Sequence, residues 1–88
     1  MYRIRLVCTG VPEDAGPTAA ADITDEFTHR PWHTRAVSTW DGSRLILETE
    51  NDFDDTGLAS MDEFGDAIAA YVTGLIDGGI SIESITEF

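Results

Sequence analysis

The most specific local pattern in the chain is Asp52-x-Asp54-x-Thr56-Gly57-x5-Glu63. It sets carboxylate and hydroxyl oxygens at alternate positions around a glycine, and a last carboxylate closes the set. Hard divalent cations take six to eight oxygen ligands, several of them charged, around a sharp turn. The candidate ligands are Asp52, Asp54, Thr56, Leu58 through its carbonyl, Ser60 and Glu63. The same residues also read as helix-start chemistry. Ser60 and Glu63 have the Ser-x-x-Glu spacing of a capping box, in which each side chain satisfies an N–H group at the other's end. Other chemistry-bearing residues are sparse. His29 and His33 are four apart, a metal-ligand spacing on a helix, but Pro31 between them forbids that helix. Cys8 is the only cysteine. It falls on the predicted inner face of a strand, where a thiol behaves as a small apolar group.

The stretch from Asp52 to Glu63 resembles the calcium loop of the EF-hand family, and the resemblance covers 12 of the 88 residues. It implies calcium as the ligand. Thr56 stands where the family has Asp, Asn or Ser, and Ala59 where it has a branched residue. A strand rather than a helix is expected ahead of the loop. Gly16-Pro17, in the turn after the first strand, is similar to the glycine turn of amino-acid-sensing ACT domains. Acylphosphatases need an arginine in that turn to hold phosphate. No arginine occurs between Arg5 and Arg30, so that enzyme is excluded. No phosphate-binding glycine loop, nucleophile elbow or Cys-x-x-Cys motif occurs, and no catalytic constellation can be assembled.

The elements that must position these residues follow from periodicity. Tyr2, Ile4, Leu6 and Cys8 alternate with Arg3, Arg5 and Val7, which predicts a half-buried strand over 2–9. Pro17 suits a first helical turn, and Ala20, Ile23 and Phe27 recur at helical spacing until Pro31. A strand is predicted over Trp32 to Trp40. Asp41-Gly42 is a hairpin signal, and Arg44 to Glu50 is the return strand. Phe64, Ala67, Ile68, Tyr71, Leu75 and Ile76 form a stripe of period 3.6, with Asp62, Asp66, Thr73 and Asp77 on the wet side. Gly65, Ala69, Ala70 and Gly74 would let this helix approach the first closely. Gly78-Gly79 is expected to end it. Ile80 and Ile82 then open a last strand. Ile85 breaks its alternation, which signals a bulge or a frayed end.

The order β-α-β-β-α-β in one domain over residues 1–88 defines the expected fold class. It is α+β: a ferredoxin-like sandwich with a four-stranded antiparallel sheet and two helices on one face. One sheet face would then be open. Arg3, Arg5, Val7, Arg35, Val37, Arg44, Ile46 and Glu48 are expected on it, with Glu50, Glu83 and His33. Cross-strand Arg–Glu pairs explain the charges. Val7, Val37 and Ile46 would be the apolar centre of an interface, with the arginines as anchors.

Charge sets the partner classes. Seventeen Asp and Glu oppose five basic residues, all arginine, for a net charge of −12. With a pI near 4.1, the chain is unsuited to neutralising nucleic-acid phosphates or docking on anionic lipid. No apolar run reaches the roughly 20 residues that span a bilayer. The start of the chain reads as a strand rather than a signal peptide, and one cysteine points to a reducing, cytoplasmic setting. The expected function is a non-enzymatic protein-interaction or regulatory module that forms a homodimer through its open sheet face. Two alternatives stand beside it: an acidic inhibitor or immunity-type partner of a basic protein, with an acidic patch over Glu50 to Asp66, and a calcium binder at Asp52–Glu63.

Overall fold

A computed structural model describes residues 1–74 and 78–88. The elements are β1 (Tyr2–Cys8), α1 (Gly16–Phe27), β2 (Arg35–Trp40), β3 (Leu45–Asn51), α2 (Leu58–Tyr71) and β4 (Ile80–Glu87). The strands form one sheet in the order β2-β3-β1-β4, with every neighbouring pair antiparallel. This is the ferredoxin-like α+β arrangement that the alternation predicts.

The core lies between sheet and helices. Ile4, Leu6 and Cys8 of β1 and Leu45 and Leu47 of β3 point inward and are fully buried. Ala19, Ala20, Ile23 and Phe27 of α1 and Phe64, Ala67 and Ile68 of α2 meet them at helical spacing. Each large side chain removed from water here contributes about 1.5–3 kcal/mol. No helix among the described residues is long and apolar enough to cross a membrane.

Four boundaries differ from the periodic reading by more than one residue, each for a local reason. Helix α1 ends at Phe27, four residues before Pro31, because a run of tight turns begins at Thr28. Strand β2 begins at Arg35 rather than Trp32. The carbonyl of Arg30 accepts the His33 N–H at 3.1 Å, closing a turn with Pro31 at its second position, where the fixed φ of proline fits. Helix α2 begins at Leu58, ahead of Ser60, from Gly57 at φ 78°. It ends at Tyr71, because Val72 is extended (φ −114°, ψ 121°) and Gly74 adopts φ 76°. Gly74 is therefore outside the helix it was expected to help pack. The expected helical roles of Leu75, Ile76 and Asp77 lie outside the described residues.

The break at Ile85 is a bulge. The β1–β4 register shifts between Arg5 and Leu6, whose partners are Ser84 and Ile82, so Glu83 is the extra residue.

Candidate functional site

The open sheet face carries the predicted ladder. Arg3 lies opposite Glu50 and Arg5 opposite Glu48, with nitrogen–oxygen distances of 2.8 and 3.5 Å. Glu83, pushed out by the bulge, takes Arg5 Nε at 3.1 Å and Arg44 at 3.4 Å. Val7 pairs with Ile46. Arg5 lies two residues before Val7 and Arg44 two residues before Ile46, so the antiparallel pairing puts one arginine on each side of this apolar pair. The Arg5–Glu83–Arg44 bridge thus spans it, and Val7 and Ile46 are each only 4% exposed. They are not the exposed apolar centre that alternation suggested. Val37 is half-buried and Arg35 exposed. Arg35 makes no ion pair among the described residues.

His33 is not on that face. The turn after Pro31 swings it inward to the far end of the molecule, where β2 starts, β3 ends and α2 starts. Its side chain is 1% exposed. Phe27, Trp32 and Phe53 surround the ring, with centroids at 5.4, 6.1 and 6.2 Å. Both ring nitrogens are engaged. Nε2 lies 3.1 Å from Glu63 Oε2, and Nδ1 lies 3.3 Å from Asn51 Nδ2.

Glu63 gathers three donors: His33, Trp32 Nε1 at 2.8 Å and Arg30 at 3.1 Å. Arg30 also reaches Glu26 at 3.5 Å and lies over the Phe27 ring at 5.2 Å. Its Nε is buried without a hydrogen-bond partner among the described residues. Glu26 in turn accepts the Tyr71 hydroxyl at 3.1 Å, which pushes the Tyr71 phenol pKa upward.

The loop before α2 hangs from the same network. Asn51 Oδ1 accepts the N–H groups of Phe53 and Asp54 at 3.3 and 2.9 Å. The Asp54 carboxylate accepts those of Ala59 at 3.3 Å and Ser60 at 2.7 Å. A carboxylate placed at exposed N–H groups of a helix start is favoured by hydrogen bonding and by the dipole. Asp54 therefore does the capping that the Ser60–Glu63 spacing suggested. Ser60 is fully buried, its hydroxyl 3.5 Å from both Thr49 Oγ1 and Asn51 Nδ2. Glu63 faces Arg30, Trp32 and His33 instead of the helix start.

The residues grouped by the calcium-loop resemblance thus divide. Asp54, Ser60 and Glu63 point into the network, while Asp52, Thr56 and Leu58 are exposed. Among the described residues no cluster of three or more His, Cys, Asp or Glu is placed to hold a metal ion. Glu63 and Asp54 belong to the calcium-loop pattern in the sequence but serve a different task in the fold. Arg30, Trp32 and Asn51 were not singled out, although Arg30-Pro31 is a turn signal and Asn51-Asp52 a loop signal.

The network holds two aromatic side chains at the surface. Trp32 and Phe53 are each 48% exposed, on different contacts to the buried His33 ring. Leu58 is exposed at the start of α2, and Asp52, Asp55 and Asp62 are exposed along the same segment. Compared with known proteins, the chain matches no family model, and no curated protein is significantly similar to it.

Proposed function

We propose that this protein is a non-enzymatic protein-interaction module that docks through the end bearing Trp32, Phe53 and Leu58. The observation that carries this reading is the pairing of a buried polar network with exposed aromatic side chains. Burying His33, Asn51, Asp54 and Ser60 costs desolvation, which their mutual hydrogen bonds offset. What the network fixes is a turn and a loop that each present a half-exposed ring. Aromatic anchors held rigidly lose little entropy on binding and dominate interface energetics. Catalysis at His33 would first have to break the network, since both its nitrogens are occupied and Ser60 is fully buried.

Position-specific crosslinking tests this. Phe53→p-benzoylphenylalanine, expressed in the cells that make the protein, should give a discrete crosslinked species. The same substitution at exposed Thr18 should not, and Trp32→Ala should remove the product at position 53. Identical products from both positions, or none at 53, would overturn the reading.

A second reading keeps self-association through the open sheet face. It is favoured by Arg35, exposed and without an ion pair among the described residues beside half-buried Val37. Sedimentation at rising concentration tests it. A dimer that Arg35→Glu dissociates would support it, and a monomer throughout would remove it.

A further inference from the structure

We infer that the partner at this end is a basic protein surface rich in arginine, with guanidinium groups stacking on Trp32 and Phe53 and paired with Asp52 and Asp55. The inference rests on the docking reading above and names its partner class.

The distribution of compensated charge carries it. Asp41, Glu48, Glu50, Glu63 and Glu83 are each bound by an arginine of the chain. Asp52, Asp55 and Asp62 are exposed and make no ion pair among the described residues. The uncompensated part of the net charge of −12 thus includes the segment that carries Phe53, whose ring meets the His33 ring that Trp32 also meets. A second copy of the chain would bring the same sign to this end, and like-charge juxtaposition opposes docking. A basic partner is attracted, and its approach is accelerated by the field.

The rings choose arginine over lysine. Guanidinium is planar, weakly hydrated and able to stack on an aromatic face while its edge donates to a carboxylate. The chain already does this internally. Arg30 lies over Phe27 at 5.2 Å while donating to Glu63, and Arg3 lies over Phe88 at 4.9 Å while donating to Glu50. Trp32 donates to Glu63 and Phe53 follows Asp52 in the chain, and among the described residues no arginine of the chain is stacked on either ring.

The test titrates isotope-labelled protein with an arginine hexamer and with a lysine hexamer at low salt, following the Trp32 indole and the amides of residues 52–58. The arginine hexamer should shift these signals and bind about tenfold more tightly than the lysine hexamer. Trp32→Leu and Phe53→Leu, which keep apolar bulk without an aromatic face, should abolish the preference while the rest of the spectrum is retained. Equal binding of the two peptides would overturn the inference. So would shifts centred on Asp22, Asp25 and Asp66 of the helices rather than on the loop. Crosslinking at Phe53 without arginine-hexamer binding would leave the docking reading standing and remove the partner class alone.

Discussion

Asn51 Nδ2 stands 3.3 Å from His33 Nδ1, while Oδ1 of the same amide accepts two backbone N–H groups. Those backbone donors fix which way the amide points, because reversing it would set N–H against N–H. The amide nitrogen is then a donor toward His33, so Nδ1 must accept. The ring proton is left on Nε2, aimed at Glu63. Backbone geometry at the end of β3 thereby selects a histidine tautomer on the loop before β2. Nitrogen-detected NMR at neutral pH should find His33 protonated at Nε2 and bare at Nδ1. Asn51→Ala leaves Nδ1 and two loop N–H groups without their partner. It should cost about 1–3 kcal/mol in urea unfolding.

Asp54 takes the capping role that spacing suggested for Ser60, and a pair of substitutions separates the two residues. Asp54→Ala removes the acceptor for Ala59 and Ser60 at the start of α2, and should cost about 1–2 kcal/mol. Among the described residues Ser60→Ala removes two long contacts at 3.5 Å, and it should cost less than Asp54→Ala. Denaturant midpoints at constant slope give the comparison. Because the Asp54 oxygens already serve N–H groups, added calcium should leave the wild-type midpoint unchanged, and a rise would restore the calcium-loop reading.

The sheet was legible in the sequence because one face of each strand meets a dry core, so alternation alone assigned Ile4, Leu6, Cys8, Leu45 and Leu47 correctly. Arg–Glu pairing across the open face followed from the same alternation, whereas the register that joins Arg3 to Glu50 and Arg5 to Glu48 is set by the β1–β3 pairing. Periodicity could not place what turns place. Strand alternation does not extend back to His33, because the Arg30–His33 turn resets the direction of the chain before β2 begins. Val7 and Ile46 lie on the face that alternation gives them but are buried there. Alternation fixes a side chain's side, whereas the Glu83 bridge that spans the pair comes from a bulge one strand away. The network fared worst, since its members lie on four separate segments and no local spacing joins Arg30 to Glu63.

Gly16 at the start of α1 touches Trp40 of β2. A Cβ built on Gly16 would collide with the indole ring without movement of the whole ring or the helix. The position needs no positive φ, so the cost of a side chain there is steric alone. Gly16→Ala should destabilise by about 1–3 kcal/mol, the usual penalty for overpacking. Trp40→Leu alone should also destabilise, by leaving α1 without its contact. Adding Trp40→Leu to Gly16→Ala should cost less than the sum of the two single changes. Full additivity would show that the helix start relaxes independently of the ring.

Asp41 at the hairpin is held well below the ordinary carboxylate range, at about 2, first by the N–H groups of Ser43 and Arg44 and then by the Arg44 guanidinium. The unfolded chain has the ordinary value of about 3.9. Above that value the carboxylate is ionised in both states and the folded state holds it better, so its stabilisation is fully present. As pH falls the unfolded state takes up the proton first. The contribution shrinks and is lost once pH drops through the folded value. Asp41→Asn keeps an oxygen acceptor for the two N–H groups and removes the charge. The difference in urea midpoint between wild type and Asp41→Asn should be constant above about pH 5 and should vanish as pH falls through about 2. Because the pair is exposed, added salt should shrink that difference. A difference that persists unchanged through pH 2 would show that the turn is held by acceptor geometry rather than by the charge.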